Sequence, residues 1–311
     1  MTEKKILITG GAGFIGSAVV QELQDHGHEV FVIDDLSFGN RSFIHVSDSH
    51  FYQEDIRNNN RMASIIQDIQ PQWVIHLAAI HFIPYCNQHP YEAFDINVRG
   101  TMQLMDVLAQ TPSVEKVFFA STAAVYPIHD VATPETLPPH PLDVYGLSKL
   151  TGERLCREFH LSSGIPTVIC RFFNAFGPRE TNPHLIPEIQ KQLLEGKRTI
   201  KLGNLEPKRD FIHTSDMAVA VRMLLEQFSK GIDTFNLGQG MEYSVREIVA
   251  AFERQLGETI TIEQDPNRMR PSDRGHLLSD NQKLKDLTGW RPKIGIDEGI
   301  ATLVKETVSH A

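Results

Sequence analysis

A glycine-rich turn directly behind a short apolar strand restricts the possible folds of this chain more than any other feature. Residues 6–8 form a continuous aliphatic run, which is typical of a parallel strand buried on both faces. Gly10 precedes Gly11, Gly13 and Gly16, which follow the spacing G-x-G-x-x-G. Such glycines let the backbone turn tightly, approach a pyrophosphate and pack the next helix against the sheet. The pattern predicts a dinucleotide site, although a glycine-rich stretch alone can also be a plain turn.

The chain beyond the glycines continues the pattern expected around a dinucleotide. From Ser17 it reads as an amphipathic helix that stops near Gly27, and residues 30–33 form a second apolar strand. Asp34 follows that strand, 18 residues after Gly16, where a dinucleotide fold places the carboxylate that binds the adenosine ribose hydroxyls. Because a carboxylate there would repel the 2′-phosphate of NADP, the pattern favours NAD.

The composition indicates a globular protein with no nucleic-acid or membrane partner. The chain has 311 residues, 41% of them hydrophobic, and a net charge of −9, whereas non-specific nucleic-acid binding needs a basic face. Its first apolar run, about three residues, is too short for a signal peptide or membrane span, so we expect a cytoplasmic protein. Cys86, Cys156 and Cys170 lack metal-type spacing. We interpret them as reduced thiols and expect no metal.

Strand and helix patterns alternate through the first half of the chain. Further strands are predicted at residues 50–53, 73–77, 117–120 and 167–170, with helices at residues 62–69, 91–108 and 144–159. Because parallel strands are joined by right-handed helical crossovers, this alternation predicts an α/β fold with a doubly wound parallel Rossmann sheet.

The regular alternation weakens after Arg171. We therefore predict an NAD-binding Rossmann domain in residues 1–172 and a smaller α/β substrate domain in residues 173–311, with segments near 207–238 returning to the first domain. Within the second part, Ser244 and Glu247 form a capping box for a helix that runs through Leu256.

A tyrosine and a lysine one helical turn apart are candidates for chemistry. Tyr145 and Lys149 occur in the pattern Y-G-L-S-K, which places both side chains on one helix face. Taken alone, such a pair is most often a surface pair. Here it follows a dinucleotide turn and a strand that ends in Ser121 and Thr122, which favours a catalytic interpretation.

With these motifs the sequence resembles the extended short-chain dehydrogenases/reductases of the nucleotide-sugar epimerase and dehydratase type. The resemblance covers nearly the whole chain in order. It comprises the TGGAGFIG turn, Asp34, Asp55, residues 76–79, Asn97, Gly100 and Thr101, Ser121 and Thr122, Tyr145 and Lys149, RFFNAFGPR from Arg171, RDFIH from Arg209, residues 236–238, residues 270–273, and Gly289 with Trp290.

The resemblance implies that Tyr145 is the acid/base, that Lys149 holds the nicotinamide ribose, and that Thr122 shares the substrate hydroxyl's proton with Tyr145. A free phenol titrates near 10, so its ionisation at neutral pH requires a shift of about three units, or roughly 4 kcal/mol. A lysine charge about 4 to 6 Å away would supply roughly 3 to 4 kcal/mol. We therefore expect a lowered pKa for Tyr145. The alternative for Thr122 is a plain strand-end hydroxyl.

The resemblance also implies two sets of binding residues. The cofactor set is Gly10, Gly13, Phe14, Ile15, Gly16, Asp34, Asp35, Asp55, Ile56, Leu77, Ala78, Ala79, Asn97, Tyr145 and Lys149. The substrate set is His81, Thr122, Asn174, His184, Leu185, Arg209, Arg270 and Asp273. Arginine suits a diphosphate because its planar fork can donate two hydrogen bonds. Arg209 could instead pair with Asp210, and Arg270 has Arg268 and Arg274 as neighbouring candidates.

The activity implied by the resemblance is NAD-dependent inversion of C4 in a UDP-hexose through a 4-keto intermediate, by a homodimer built from the helices at 91–108 and 144–159. Ala123 and Ala124 stand where related dehydratases carry two carboxylates, which favours epimerisation. The alternatives are a UDP-glucuronate or UDP-N-acetylhexosamine 4-epimerase, a dehydratase or decarboxylase, and a non-catalytic NAD-binding regulatory protein. Residues 81–85 are interpreted as a loop near the sugar that matches no single substrate class.

Overall fold

The computed structural model of the chain describes residues 2–269 and 274–309. Its strands are β1 (Lys5–Thr9), β2 (Glu29–Ile33), β3 (Phe51–Tyr52), β4 (Trp73–His76), β5 (Lys116–Thr122), β6 (Thr167–Phe172), β7 (Asn174–Phe176), β8 (Thr199–Leu202), β9 (Lys208–His213), β10 (Ile232–Leu237), β11 (Glu242–Ser244) and β12 (Thr261–Gln264). Its α-helices are α1 (Phe14–Asp25), α2 (Asn59–Ile69), α3 (Ile83–Gln88), α4 (Pro90–Phe94), α5 (Thr101–Ala109), α6 (Val144–Ser163), α7 (Leu185–Leu194), α8 (Thr214–Gln227), α9 (Val245–Leu256), α10 (Gln282–Thr288) and α11 (Ile296–Ser309).

A seven-stranded sheet forms the centre, with the strand order β10-β6-β5-β4-β1-β2-β3. Every neighbouring pair in it is parallel, which confirms the predicted doubly wound α/β class. The order reverses between β1 and β4, and ligands of such sheets bind at that point, beyond the carboxyl ends of the strands. Strand β10 pairs with β6 although it follows β9 in the chain. The division into two domains at residue 172 stays a prediction.

Alternate residues of the central strands enter two separate apolar cores. In β1, Ile6 and Ile8 pack in the core that contains α1 and α8. Leu7 packs on the opposite face, in the core that contains α2, α5 and α6. This burial on both faces explains why the strand is a continuous apolar run rather than an alternating one. A third apolar cluster joins α7, α9 and α11 to β8 and β9.

Two helical regions near residue 90 differ from the sequence-based prediction. The helix predicted over 91–108 is present, but a π-helical turn, Asp95–Gly100, lies between α4 and α5. The stretch interpreted as a loop at 81–85 is helical from Ile83, with Pro84 in its first turn. Proline is tolerated there because the first backbone N–H groups of a helix have no partner within it.

Other predicted elements occur close to their expected positions. The capping box of Ser244 and Glu247 begins α9, which ends at Leu256. The cysteines Cys86, Cys156 and Cys170 are free and buried. Helices α8 and α11, each 14 residues long, were not predicted. None of the helices in the described residues is long and apolar enough to cross a membrane.

A buried ion pair connects α6 to the ends of two central strands. Glu153 and Arg171 are 2% and 3% exposed. The guanidinium group donates from Nε and Nη2 to the two carboxylate oxygens, at 2.8 and 2.7 Å. The hydroxyl of Ser121, in β5, donates to the same carboxylate at 2.6 Å. One carboxylate in α6 is thus held by both β5 and β6.

We predict that Glu153→Ala destabilises the protein by about 3 to 5 kcal/mol, because it leaves the Arg171 charge buried without its partner. The free energy of unfolding would be measured by urea denaturation followed by circular dichroism. The matched control is Glu263→Ala, whose 56% exposed side chain lies 3.8 Å from Lys201 and whose loss should change stability by less than about 1 kcal/mol. Equal effects of the two substitutions would contradict the prediction.

Candidate active site

A cleft of about 990 Å³ lies at the carboxyl ends of the central strands. It extends from the glycine turn behind β1, past the ends of β4 and β5, to the beginning of α7 and to β9. Of the predicted cofactor and substrate residues within the described part of the chain, all except Asn97 line it. Arg270 and Asp273 lie outside the described residues.

The glycine turn brings backbone groups against the cleft at distances that a side chain would prevent. Gly10 has φ of 75°, and a Cβ there would lie 2.7 Å from the backbone nitrogen of Ala78. A Cβ on Gly16 would lie 2.1 Å from the carbonyl oxygen of Gly10. Helix α1 begins after Gly13, which provides no side-chain cap. Its first N–H groups are therefore suited to a phosphate.

Asp34 is placed to bind ribose hydroxyls. It is 8% exposed, and its Oδ2 and Oδ1 accept hydrogen bonds from the backbone N–H groups of Ala12 and Leu36, both at 2.9 Å. Burial raises the pKa of Asp34, and these two donors oppose the rise. Since each carboxylate oxygen has two lone pairs, each can accept one further hydrogen bond. The glycine turn and this carboxylate together fit NAD.

Two predicted cofactor residues have other partners. Asp55 lines the cleft, but Arg57 Nε donates to its Oδ2 at 2.9 Å, and this side-chain pairing lowers the pKa of Asp55. Asn97 is 1% exposed and is not among the residues that line the cleft. Its Oδ1 accepts from Ile80 N at 2.8 Å, and its Nδ2 donates to Ile80 O at 2.9 Å and to Ser148 Oγ at 3.0 Å. These bonds show that Asn97 positions the chain that follows β4, and its predicted direct contact with the cofactor stays a prediction.

The side chains of Thr122, Tyr145 and Lys149 line one wall of the cleft. Helix α6 is capped by the side chain of Asp143, so Tyr145 lies in its first turn. Thr122 ends β5, and its Oγ1 accepts a hydrogen bond from the backbone N–H of Ala124 at 3.1 Å. Its hydroxyl lies close enough to Tyr145 to oppose the rise in the pKa of that phenol. Lys149 is 2% exposed, and its Nζ lies 4.2 Å from the centroid of the Phe119 ring.

Burial moves both titratable groups of this wall towards their neutral forms. It raises the pKa of Tyr145, against the opposing effect of Thr122, and it lowers the pKa of Lys149 to about 8. The expected lowering of the Tyr145 pKa is therefore wrong for the protein chain alone, because desolvation of the phenolate outweighs the neighbouring groups. At neutral pH, Lys149 with a pKa of about 8 stays mostly protonated.

The opposite end of the cleft is built from β7, β9 and the start of α7. Asn174 begins β7, while His184 is the N-cap residue of α7 and Leu185 its first residue. Arg209 lies in β9 and donates from Nη1 to the carbonyl oxygens of Lys208 and Arg274, both at 2.7 Å.

The sequence suggested that Arg209 could pair with Asp210. The Asp210 carboxylate has other hydrogen-bond partners with which Arg209 would have to compete. Asp210 accepts from the backbone N–H groups of Gln239 and Gly240 at 2.7 and 2.9 Å. Both other arginines of the cluster within the described residues, Arg268 and Arg274, also line the cleft.

Sequence reasoning missed several residues that line the cleft, among them Phe38, Glu180 and Tyr243. Glu180 directly follows the RFFNAFGPR segment that carries the family resemblance. The polar residues next to this segment were the available sequence signal for a site residue. His81 lies near Glu180. Burial, together with the neighbouring His184, lowers the pKa of His81 to about 4.

The fold and the cleft define a dinucleotide-binding enzyme of the Rossmann class. A sequence model of the family described as GDP-mannose 4,6 dehydratase matches residues 7–303. The chain belongs to this family of extended short-chain dehydrogenases/reductases, which confirms the resemblance stated above.

Individual relatives are similar over the full length. A UDP-glucose 4-epimerase from Lactobacillus helveticus is 31% identical over 326 aligned residues, which cover 98% of each sequence. The structure of a Thermus thermophilus UDP-glucose 4-epimerase in complex with NAD has a TM-score of 0.89 and 31% identity, covering 99% of this chain and 100% of that one. A Methanobrevibacter ruminantium UDP-N-acetylglucosamine 4-epimerase in complex with UDP-N-acetylmuramic acid has a TM-score of 0.89 and 28% identity, covering 100% of both chains.

We predict that the protein binds NADH at least about tenfold more tightly than NADPH, because Asp34 would face the 2′-phosphate as a like charge. Asp34→Ser should reduce this ratio towards one, as measured by calorimetry with both nucleotides. Asp25→Asn, a charge change at an exposed site that pairs with Gln21, should leave the ratio unchanged. Equal affinities in the unmodified protein would refute the role of Asp34.

Proposed function

We propose that this protein is an NAD-dependent epimerase that inverts the configuration at C4 of a UDP-hexose. The observation that carries the proposal is the placement of Thr122, Tyr145 and Lys149 in the same cleft as the glycine turn and Asp34. A protein that only binds NAD has no need for a partly exposed tyrosine beside a buried lysine at the cleft wall. The similarity to full-length epimerases supports the proposal.

The cofactor would be held by the glycine turn, by Asp34 and by the strand end at Leu77, Ala78 and Ala79. The small side chains after β4 let this strand end approach a bound cofactor. When bound, NAD supplies the acceptor and donor of the hydride that leaves and returns to C4 of the sugar.

Tyr145 Oη is the atom that takes the proton of the C4 hydroxyl and later returns it. Thr122, whose hydroxyl acts on the pKa of Tyr145, orients this exchange by sharing the proton. Lys149 stays mostly protonated at neutral pH, so its charge favours the phenolate over the phenol and offsets part of the cost of burial. A positioned acid/base of this kind contributes about 10² to 10⁴ in rate.

The other end of the cleft would bind the nucleotide. The guanidinium group of Arg209 suits the diphosphate, and the backbone around His184 and Leu185 suits the base. If the affinity comes from the nucleotide, the sugar can be held loosely enough to present either face to the cofactor.

The residues after β5 favour epimerisation over elimination or decarboxylation. Ala123 and Ala124 line the cleft beside Thr122, and a methyl group cannot exchange a proton. Two other carboxylates that line the cleft have structural partners: Asp143 caps α6, and Glu188 accepts from Arg268 at 2.7 Å. A second acid or base is thus missing where related dehydratases carry it.

We predict that incubation with UDP-glucose or UDP-N-acetylglucosamine yields, for whichever is accepted, a C4 epimer of unchanged mass. UDP-N-acetylglucosamine is the second candidate because of the Methanobrevibacter relative, and UDP-glucuronate belongs in the same panel. Chromatography with mass spectrometry would identify the product. A main product lighter by water or carbon dioxide would overturn the proposed reaction.

We predict that Tyr145→Phe lowers kcat by about 10² to 10⁴, because the proton acceptor is removed. Lys149→Ala should lower the rate and move the acid limb of the rate profile to higher pH, since losing the cation raises the pKa of Tyr145 further. Tyr52→Phe, a change of the same size outside the cleft, should keep full activity. Near-normal turnover by Tyr145→Phe would exclude this role.

We also propose a homodimer in which a second copy of the chain covers an exposed apolar surface. Tyr91, Met102 and Leu147 are 92%, 44% and 47% exposed, and they lie on the two helical segments predicted to form the interface. Exposed apolar side chains on adjacent helices are typical of association surfaces.

Analytical ultracentrifugation should show a dimer at micromolar concentration and a monomer for Met102→Glu, whereas Leu194→Glu, at an exposed site on α7, should remain dimeric.

A further inference from the structure

Two histidines and a glutamate converge in the cleft, apart from the proton-transfer groups. His81 follows β4, while Glu180 and His184 belong to the segment that joins β7 to α7. One ligand atom from each of the three lies within 4.8 Å of the other two, and all three residues line the cleft. Among the described residues, no other group of His, Cys, Asp or Glu side chains converges in this way.

The distance between two of these side chains already suits a shared ion. His184 Nδ1 and Glu180 Oε2 are 3.5 Å apart, which is longer than a usual hydrogen bond. Two ligands each about 2.0 to 2.2 Å from a tetrahedral zinc ion lie roughly 3.3 to 3.6 Å from each other. The widest separation in the group is bounded by 4.8 Å, so a side-chain shift of about 1 Å closes the site.

The surrounding contacts hold the glutamate in place. The side chain of Glu180 is 6% exposed, and its Oε1 accepts from the backbone N–H of Asn182 at 3.2 Å. This leaves Oε2 directed towards His184. The side-chain amide of Asn182 in turn contacts His81 Nε2 at 3.1 Å. Asn182 thus connects both sides of the group, as outer residues do around metal ligands.

The loop that carries Glu180 is fastened to the segment behind β2. Arg179 Nη1 donates to the carbonyl oxygen of Phe43 at 2.7 Å, and Thr181 Oγ1 donates to that of Phe38 at 3.3 Å. These contacts fix the loop on both sides of Glu180, so the carboxylate is held in the cleft by the fold rather than by the histidines.

We propose that His81, Glu180 and His184 bind one divalent transition-metal ion of the zinc class, with an open coordination position towards the cleft. Two imidazoles and one carboxylate suit zinc and similar ions, whereas calcium and magnesium prefer oxygen ligands throughout. Three protein ligands leave a fourth position for water or for an oxygen of the molecule bound in the cleft. The ion would act there as a Lewis acid or as an anchor for a hydroxyl or anionic oxygen.

This inference goes beyond the proposed epimerisation and does not depend on it. It concerns ion binding by the full chain, which can be read without turnover. A failure to bind metal would leave the assignment of Tyr145 and Lys149 intact, and a wrong product would leave the metal site intact.

The test is titration of the chelator-treated protein with ZnCl₂ alone, followed by calorimetry. We expect saturable binding of one ion per chain. Glu180→Gln, which keeps the size of the side chain, and His184→Ala, whose side chain is 39% exposed, should each raise Kd by more than about tenfold. Circular dichroism would verify that each variant is folded. If His184→Ala fails to fold, Glu180→Gln alone decides.

The matched control is His276→Ala, which removes another histidine beside a carboxylate, with His276 Nδ1 at 2.7 Å from Glu242 Oε1. It should bind zinc like the unmodified protein. Absence of stoichiometric binding to the unmodified protein, or equal binding by Glu180→Gln, would overturn the proposal.

A Co²⁺-loaded sample tests the open position. We expect visible ligand-field bands that disappear in Glu180→Gln and that change when UDP-glucose is added, because an oxygen of the ligand replaces water at the ion. The nucleotide sugar used is one that calorimetry shows to bind the metal-free protein, and a Co²⁺ spectrum that is insensitive to its saturating addition would refute a coordination position facing the cleft.

Discussion

The buried ion pair between Glu153 and Arg171 sets the position of the reacting groups. Glu153 lies one helical turn beyond Lys149 in α6, and it also accepts from Ser121, the residue before Thr122. One carboxylate therefore fixes the helix that carries the tyrosine and lysine relative to the strand that carries the threonine. Buried ion pairs contribute little net stability because of desolvation. Here the pair fixes the relative positions of a helix and two strands.

The same burial that positions the site opposes its ionisation. Lys149 is buried and Tyr145 is partly buried at the cleft wall, and desolvation lowers the pKa of the lysine and raises that of the tyrosine. These two pKa shifts have different consequences at neutral pH. The lysine remains mostly charged, whereas the phenol is kept neutral. A neutral phenol beside a cation is ready to donate a proton, and it becomes an acceptor only when additional positive charge enters the cleft.

Much of the fold and part of the site followed from local sequence patterns. The glycine turn, the apolar strands and Asp34 are recognisable because each depends on residues close together in the chain. The π-helical turn at Asp95–Gly100 and the helix at Ile83–Gln88 could not be predicted, because tertiary packing overrides weak local preference. The grouping of His81 with Glu180 also escaped prediction. Asn182, which bonds Glu180 and contacts His81, is 101 residues from His81 in the sequence, so these residues meet only after folding.

The π-helical turn restricts changes of chain length in this helix. A π turn contains an extra residue compared with an α turn, because its hydrogen bonds join residues i and i+5. Deleting one residue from it would restore regular hydrogen bonding, but the remaining residues of the turn would take new positions around the helix axis, about 100° apart, and the Asn97 amide would turn away from Ile80. A shortened protein would thus gain local helix stability and lose the support of the wall that follows β4. The extra residue of the π turn is thus linked to the direction of the Asn97 amide.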